Sequence, residues 1–367
     1  MQDRDHRQPK LELRGVSKRY GDFAALKRTD LSVSAGEFVT LLGPSGSGKT
    51  TLLTIVAGLS ASNTGEIWID GAEATNQPVH KRDIGMVFQN YALFPHLSVF
   101  ENVAFPLRMR RTPESEIKRK VNRMLEVVHL PHVGDRLTRE LSGGQQQRIA
   151  LARCAVYEPS IILMDEPLGA LDKKLRDQMQ VEIKRLHTEL GATILYVTHD
   201  QEEAMAMSDR ICLMNRGGIE QLGTPQELYF RPTSKFAADF LGTSNLFGAK
   251  VEGVGETIDL STGFHASISA LRGADVGPGE EVDVMVRPEH LRLLKDGETA
   301  DNVVPATFEG TMITGSVTRH WARLDDGTTI VALSLTTGPT LSFQPGEAVR
   351  FGWPKDGTVL IRPAREG

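Results

Sequence analysis

The sequence predicts an α/β fold with a largely parallel sheet, followed by an all-β region. Short apolar runs of strand length recur at 38–42, 161–164 and 193–197, and segments with helical periodicity separate them. Strands that alternate with helices favour a parallel sheet with crossover helices. From residue 243 onward, the pattern changes to short alternating strands between turns.

The composition is that of a globular protein with two domains. The chain has 367 residues, whereas single domains commonly span roughly 100–200 residues. Its two cysteines, Cys154 and Cys212, form neither a disulfide framework nor a zinc pattern. The net charge of −5 predicts no nucleic-acid partner, because proteins that bind nucleic acids are usually basic. The charged N-terminus is unlike a signal peptide and no apolar run approaches ~20 residues, so we expect a cytoplasmic protein that reaches a membrane only through another chain.

We expect the first domain at 11–242, after a disordered start at 1–10. Apolar or alternating runs predict its strands, which lie at 11–20, 29–33, 38–42, 65–71, 84–88, 161–164 and 193–197. Apolar residues at three- and four-residue spacing predict a helical insertion at about 90–157. Ser142 is the predicted N-cap of its last helix, which extends to about residue 157. Further helices are predicted at 175–190, 224–230 and 235–240.

The second domain is predicted at 243–367, as an all-β region of small barrels. Glycine, proline and aspartate clusters predict turns at 277–279, 325–327 and 355–357. No group of residues in this region resembles a catalytic site. We therefore expect the chemistry to lie before residue 243.

The stretch from Gly43 to Thr50 fits the phosphate-loop pattern G-x-x-x-x-G-K-[ST]. A predicted strand precedes it and a predicted helix, 51–57, follows it, as this motif requires. Lys49 would reach the β- and γ-phosphates, and the Thr50 hydroxyl would bind Mg²⁺. A glycine-rich turn that binds nothing is the alternative, but a chance match is roughly a one-in-a-hundred event. The predicted nucleotide-binding residues here are Gly43, Pro44, Ser45, Gly46, Ser47, Gly48, Lys49, Thr50 and Thr51.

Two adjacent carboxylates, Asp165 and Glu166, follow the apolar run at 161–164. Solvated acids at a strand end are common, but ligands of parallel α/β sheets bind at the carboxyl ends of strands. Asp165 would hold Mg²⁺, directly or through water. Glu166 would orient or deprotonate the attacking water.

A second glycine-rich stretch begins at Leu141, with the sequence LSGGQ. Two glycines behind an N-capping serine form another anion cradle at a helix start. Taken alone, a plain helix cap would be the better interpretation. The order of phosphate loop, LSGGQ, aliphatic-Asp-Glu and Thr198-His199-Asp200 is, however, jointly very specific.

With these motifs, residues 11 to about 240 resemble the ATP-binding subunits of ABC transporters, which are P-loop NTPases that use ATP and Mg²⁺. The resemblance implies that residues 43–50 are the Walker A loop and that Asp165 and Glu166 are Walker B and the catalytic base. Gln89 would be the Q-loop glutamine near Mg²⁺ and the lytic water, and His199 the switch histidine. Other implied nucleotide contacts are Tyr20 on adenine, the signature residues Ser142, Gly143, Gly144 and Gln145, and Asp172 of the D-loop Gly169-Ala170-Leu171-Asp172.

Three of these residues also have plain structural interpretations. Tyr20 could be a core residue, Gln89 a polar group in a turn, and His199 a histidine at a helix cap. The signature residues would act on the nucleotide of an opposite subunit, so the resemblance implies a homodimer.

Further resemblances concern the subclass of transporter. Residues 90–99 look like the coupling segment of importer ATPases, and residues 287–293 look like the TOBE module, an OB-like barrel. Residues 169–180 and 223–247 most resemble the spermidine/putrescine branch, although ferric iron, sulfate, phosphonate and sugar importers share much of the pattern. The implied partners are two integral-membrane permease subunits and, indirectly, an external solute-binding protein. The implied location is the cytoplasmic face of the inner membrane.

Two other classes of function stay open at this point. ABC ATPases of DNA repair or translation usually carry a long coiled coil between the two halves, or two cassettes in one chain. Here Lys49 and Ser142 lie close along the chain without sustained heptads, and there is one cassette. A binding protein with a vestigial ATPase is the third class, against which Glu166 and His199 argue.

Overall fold

The computed structural model describes residues 9–169, 171–272, 275–337 and 343–362. The chain divides into two compact units, Met1–Pro225 and Gln226–Gly367. The predicted disorder at 1–10 falls on residues outside the described ranges, except for Pro9 and Lys10. The Lys10 backbone N–H donates to the Val33 carbonyl at 2.8 Å, and its ammonium lies 2.6 Å from the Asp70 carboxylate.

The strands of the first unit form two sheets. In chain order the strands are β1 (Leu11–Tyr20), β2 (Phe23–Val33), β3 (Phe38–Leu42), β4 (Thr64–Ile69), β5 (Ala72–Glu73), β6 (Ile84–Val87), β7 (Ile161–Asp165), β8 (Thr193–Thr198), β9 (Arg210–Asn215) and β10 (Gly218–Gly223). One sheet is antiparallel, with the order β2-β1-β4-β5. The other has the order β10-β9-β3-β8-β7-β6 and is parallel except for β10. This arrangement confirms the predicted parallel α/β fold.

The helices of the first unit cover the parallel sheet. They are α1 (Lys49–Ala57), α2 (Val99–Met109), α3 (Glu114–Val127), α4 (Gly143–Ala155), α5 (Lys173–Leu190) and α6 (Gln201–Met207). The predicted helical insertion is present as α2, α3 and α4. Among the described residues, no helix combines the length and the apolar character that crossing a membrane requires.

The continuous apolar strands divide their side chains between two cores. Ile162 and Met164 of β7 pack into the core that contains the helical insertion. Ile161 and Leu163 pack into the core that contains α1 and the antiparallel sheet. Because both faces of β7 are covered, alternation is absent from its sequence, as is typical of buried parallel strands. Its carboxyl end, with Asp165, therefore lies at a rigid edge of the sheet.

Some elements differ from the sequence prediction. β2 begins at Phe23 rather than at 29, because it pairs with β1 from Tyr20 onward, across a turn in which Gly21 has a φ of 57°. Register shifts within this pair obscure the alternation of its residues. α4 ends at Ala155, two residues before the predicted end. The sequence pattern does not reveal α6 or the β9–β10 hairpin, which are short and partly polar.

The second unit contains two antiparallel sheets, which confirms the predicted all-β region. Their strands are β11 (Asn245–Val254), β12 (Thr257–Thr262), β13 (Ser267–Leu271), β14 (Glu281–Val286), β15 (Arg292–Leu293), β16 (Asn302–Thr314), β17 (Val317–Arg323), β18 (Thr329–Leu335), β19 (Ala348–Trp353) and β20 (Thr358–Ile361). The sheet orders are β13-β12-β11-β14-β20 and β15-β19-β16-β17-β18. Side chains of both sheets share one apolar core.

The two short helices α7 (Pro225–Phe230) and α8 (Lys235–Phe240) group with this β unit, whereas the sequence places the boundary after residue 242. Their partner is the buried guanidinium of Arg287, which donates to the carbonyls of Tyr229 at 2.8 Å and of Ala238 at 2.9 Å. A cation buried in this way needs such acceptors. The contacts run across a long sequence separation, so a composition change does not reveal them.

Candidate nucleotide site

The phosphate loop connects β3 to α1 through three glycines with left-handed or otherwise unusual backbone angles. The φ values of Gly43, Gly46 and Gly48 are 153°, 79° and 101°. A Cβ on Gly43 would lie 2.2 Å from the Met214 carbonyl oxygen, and one on Gly48 would lie 2.7 Å from the Ala25 carbonyl oxygen. Both positions therefore require glycine, and the loop has the open backbone that cradles phosphates.

Lys49 is the cation of this loop, and it lies at the start of α1. Its side chain is buried, and its Nζ donates to the carbonyls of Gly43 at 2.8 Å and Pro44 at 3.0 Å. Burial lowers the pKa of Lys49, while the charges of Glu166 and Asp165 act in the opposite direction. The loop thus holds a poorly solvated cation that anionic oxygens would stabilise.

Thr50 and Asp165 bring a hydroxyl and a carboxylate together from α1 and β7. The Thr50 Oγ1 donates to Asp165 Oδ1 at 3.4 Å. Burial, followed by the charge of Glu166, raises the pKa of Asp165. Mg²⁺ is commonly held by one or two carboxylates, waters and substrate phosphates, so these oxygen donors fit it. In the described ranges, no cluster of three acidic, His or Cys residues could hold a metal by itself.

Glu166 has the strained left-handed backbone of a non-glycine residue, with a φ of 44°. Its N–H donates to the Val197 carbonyl at 3.0 Å, and its Oε2 lies 3.2 Å from His199 Nδ1. Gln89 lies near the same place, because a Cβ on Gly169 would be 3.7 Å from Gln89 Nε2 and 4.0 Å from Glu166 Oε2. The structure therefore brings Gln89, Glu166 and His199 together, just beyond the carboxyl ends of β6, β7 and β8.

The LSGGQ residues lie at the start of α4 and form a capping box. The Ser142 Oγ accepts from the Gln145 N–H at 3.4 Å, and the Gln145 Oε1 accepts from the Ser142 N–H at 3.0 Å. Gly144 allows α4 to approach α5, since a Cβ there would lie 3.0 Å from Leu175 Cδ1. In the described part of the chain, no hydrogen bond or ion pair joins Ser142, Gly143, Gly144 or Gln145 to the phosphate loop.

Asp172 is the N-cap of α5, where its Oδ1 accepts from the Leu175 N–H at 2.9 Å. The predicted D-loop contains Ala170, which lies outside the described residues. Asp172 is exposed, and its contacts give it a local structural role. The structure does not bring it to the phosphate loop of its own chain.

Tyr20 is an exposed aromatic residue and not a core residue. Its side chain is 55% exposed and lines one cleft with Phe23, Gly46, Lys49 and Thr51. Phe23, which is 64% exposed, is a residue that the sequence analysis misses. The β1–β2 hairpin could have revealed Phe23 as a site residue, because Tyr20 and Phe23 are cross-strand partners at its turn. Either aromatic ring could stack on a base next to the phosphate loop.

Arg176 is a second residue that the sequence analysis misses. Its Nη1 donates to the Asp200 carboxylate at 2.9 Å, and its Nη2 donates to the Leu171 carbonyl at 3.1 Å. Asp200 follows His199 directly and caps α6, accepting from the Glu202 N–H at 2.8 Å. Arg176 therefore connects the segment that carries His199 and Asp200 to the segment that precedes Asp172.

Two family models match the chain. The ABC transporter model matches residues 26–169, which include the phosphate loop, LSGGQ and the two carboxylates. The TOBE domain model matches residues 284–361, within the β unit.

Curated relatives match along nearly the whole chain. The spermidine/putrescine import ATP-binding protein PotA of Pseudomonas aeruginosa (strain UCBPP-PA14) is 44% identical over 361 residues, which cover 96% of this chain and 99% of that protein. The protein of the same name from Rubrobacter xylanophilus is 46% identical over 346 residues, covering 94% and 91%. That of Thermotoga maritima is 42% identical over 322 residues, covering 86% and 87%.

Solved structures match a part of the chain. CbiO1 from Clostridium perfringens, part of the ABC transporter complex cbiONQ, has a TM-score of 0.57 and 30% identity, covering 60% of this chain and 90% of that chain. The ATP-binding cassette MJ0796, a dimer in a post-hydrolysis state bound to ADP and Pi, has a TM-score of 0.52 and 35% identity, covering 59% and 98%.

Proposed function

The chain belongs to the ABC transporter family as an ATP-hydrolysing subunit of an importer, and we propose that it powers the import of polyamines. The names of its relatives support spermidine and putrescine as the solutes. One observation supports the ATPase chemistry most directly: five residues lie together at one edge of the parallel sheet, namely Lys49, Thr50, Asp165, Glu166 and His199. The solute itself would not touch this subunit.

For ATP binding, we propose that the backbone amides of the phosphate loop and Lys49 bind the phosphates. Lys49 would exchange its bonds to the Gly43 and Pro44 carbonyls for phosphate oxygens. Thr50 and Asp165 would hold Mg²⁺, which neutralises developing charge on the phosphates when it is bound. The base would lie in the cleft that Tyr20 and Phe23 line.

For hydrolysis, we propose that the Glu166 carboxylate accepts the proton of the attacking water. His199 Nδ1 lies 3.2 Å from Glu166 Oε2, so it would orient this carboxylate. Gln89 would contact the same water, since its Nε2 and the Glu166 Oε2 both lie close to Gly169. The positions of these three residues after separate strands support the roles that the family resemblance implies.

For assembly, we propose a homodimer in which the LSGGQ residues of one subunit contact the ATP of the other. Ser142, Gly143 and Gly144 start a helix without bonding to the phosphate loop of their own chain, and such a helix start attracts phosphate. Asp172 would lie near the same interface. Two permeases would anchor the dimer at the cytoplasmic face of the membrane, where residues 90–99 would contact them.

The mechanism is tested with Glu166→Gln in the full chain. The amide keeps the size of the side chain but loses the basic carboxylate, so turnover should fall about 10²- to 10⁴-fold. ATP binding should persist, because Lys49, Thr50 and the loop amides are unchanged. Phosphate release and binding of a fluorescent ATP analogue measure the two effects. A variant that hydrolyses ATP at the parent rate would exclude Glu166 as the base.

The solute is tested by reconstituting the chain in vesicles with the permeases and the solute-binding protein from its own gene neighbourhood. We expect ATP-dependent uptake of labelled spermidine and putrescine, and no uptake with Glu166→Gln. Uptake of sulfate, ferric iron, phosphonate or a sugar in place of polyamines would overturn the assignment of the solute and leave the ATPase chemistry standing.

A further inference from the structure

The segment after Gln89 has an unusual backbone. Tyr91 and Ala92 are consecutive non-glycine residues with positive φ values, 60° and 46°. The left-handed region crowds the Cβ of an L-residue, and such residues persist only where their surroundings hold them. Two short turns lead into them, since the Tyr91 N–H donates to the Phe88 carbonyl at 2.9 Å and the Ala92 N–H to the Asn90 carbonyl at 2.7 Å. The position of Gln89 therefore depends on contacts that keep this segment in place.

One side chain from another element makes those contacts. Arg153 lies in the last turn of α4, and its Nη2 and Nη1 donate to the carbonyls of Tyr91 at 2.9 Å and Ala92 at 2.8 Å. Its guanidinium carbon also lies 5.4 Å from the centre of the Phe94 ring. The planar guanidinium donates to these two carbonyls from two separate nitrogens held in a fixed fork, whereas an ammonium has a single nitrogen on a flexible stem.

The side chain of Tyr91 gives the segment a second anchor. It is only 9% exposed and lies in the core that contains the helical insertion. Its hydroxyl is buried, and in the described part of the chain it has no hydrogen-bond partner. The ring therefore contributes apolar packing, while Arg153 makes the polar contacts to the carbonyls of Tyr91 and Ala92.

We propose that Arg153 is a positioning residue for Gln89, which it places by holding the strained Tyr91–Ala92 segment. Arg153 lies on the helix that begins at Gly143, so one rigid element connects the LSGGQ residues to the segment that carries Gln89. A shift of α4 then changes the position of Gln89 beside Glu166. The inference rests on the proposed role of Gln89 in hydrolysis.

The test compares Arg153→Lys and Arg153→Met with the parent in the full chain. Lysine keeps the charge over Phe94 but replaces the two forked nitrogens with a single one, so it loses the fixed two-point contact, and methionine loses both contacts. We expect kcat to fall about 10- to 100-fold in each, as misplacement of a group in the site does, while KM for ATP stays within about two-fold because no phosphate contact changes. Parent-like kcat in a folded Arg153→Met protein overturns the proposal.

A rescue experiment separates positioning from general destabilisation. Ala92→Gly removes the crowding at a positive φ, so it should restore part of the kcat that Arg153→Lys loses. Arg111→Gly is the matched control, because Arg111 also has a positive φ, 58°, but belongs to the turn after α2 and not to the segment that Arg153 holds. Equal effects of the two glycines overturn the proposal, as does a failure of Ala92→Gly to restore any kcat.

A double-mutant cycle with Gln89→Ala completes the test. If Arg153 acts through Gln89, Arg153→Lys should lower kcat in the parent but change it by less than about two-fold when Gln89 is already alanine. An undiminished loss in the Gln89→Ala background overturns the proposal. If Gln89→Ala alone has the parent kcat, then the proposed role of Gln89 fails first, and the inference fails with it.

Discussion

At the scale of single residues, the site concentrates features that cost stability. Lys49 is a buried cation, and Glu166 has a left-handed backbone. Burial and the charge of Glu166 raise the pKa of the Asp165 carboxylate. None of these features helps the chain to fold. Each is suited to binding phosphates and a cation, so the residues serve function at the expense of stability.

We predict that Asp165→Asn stabilises the folded protein and abolishes its activity. The pKa of Asp165 is raised in the folded protein, which means that folding disfavours its charged form at neutral pH. A neutral amide of the same shape should therefore raise the Tm, measured without nucleotide at pH 7. Mg²⁺-dependent ATP hydrolysis should be lost, because the carboxylate that we propose to hold Mg²⁺ is removed.

The sign of this effect can be checked with pH. Between the ordinary pKa of an aspartate and the raised one, the folded protein binds more protons, so the parent should lose stability as the pH rises through this window. Asp165→Asn should lack that component. An Asn variant with a lower Tm than the parent at pH 7 would contradict the electrostatic argument.

The sequence predicts part of the site at this scale and misses the rest for a physical reason. Lys49, Thr50, Asp165 and Glu166 are found because each belongs to a short contiguous motif at a strand end. Arg153 is not found, because its partners lie 61 and 62 positions away in the chain. Contacts of this kind depend on how α4 packs, and no local pattern records them.

At the scale of elements, burial on both faces makes the central strands easy to predict. β3, β7 and β8 are mostly apolar and almost entirely buried, because two cores cover them. The β9–β10 hairpin is missed because β10 is half-buried and carries Glu220 and Gln221. The carboxyl ends of the predicted strands carry most of the candidate site. Missing the β9–β10 hairpin therefore changes little in the predicted chemistry.

The arrangement of α1 and α4 makes a prediction about two subunits. Lys49→Ala and Ser142→Arg should each inactivate a homodimer, the first by removing the phosphate-binding cation and the second by blocking the LSGGQ cradle. If Ser142 acts on the opposite subunit, a mixture of the two variants should recover roughly a quarter of the parent activity. Half of its dimers are mixed, and each mixed dimer has one intact site of two.

The control for this experiment is Ser234→Arg, which removes another N-capping serine. The Ser234 Oγ accepts from the Ala237 N–H at 3.1 Å at the start of α8, in the β unit. Loss of this cap should cost stability but leave ATP hydrolysis near the parent rate. A mixture as inactive as its two components would contradict action across the dimer.

At the scale of the whole molecule, the division into units follows tertiary contacts rather than composition. α8 packs onto the β unit through Ala238, which contacts Met285 and Ile361. Arg287 donates to the carbonyl of Ala238 within this helix, of Gly242 after it and of Tyr229 before it. The predicted boundary after residue 242 reflects the change from helix to strand patterns, which the sequence displays. The boundary after residue 242 stays a prediction of where the chain can be divided.

The last prediction compares two truncated chains, 1–225 and 1–242. The residues assigned to the phosphates and Mg²⁺ lie before Pro225, so both should bind a fluorescent ATP analogue as the full chain does. The longer chain keeps α7 and α8 but lacks Arg287, and isolated helices of six residues are not stable in water. Its buried Leu228, Ala237 and Ala238 would then be exposed. We therefore expect 1–242 to aggregate more readily than 1–225. Arg287→Met in the full chain is the control and should keep ATP binding. A folded 1–225 protein that fails to bind ATP would show that the β unit contributes to the site.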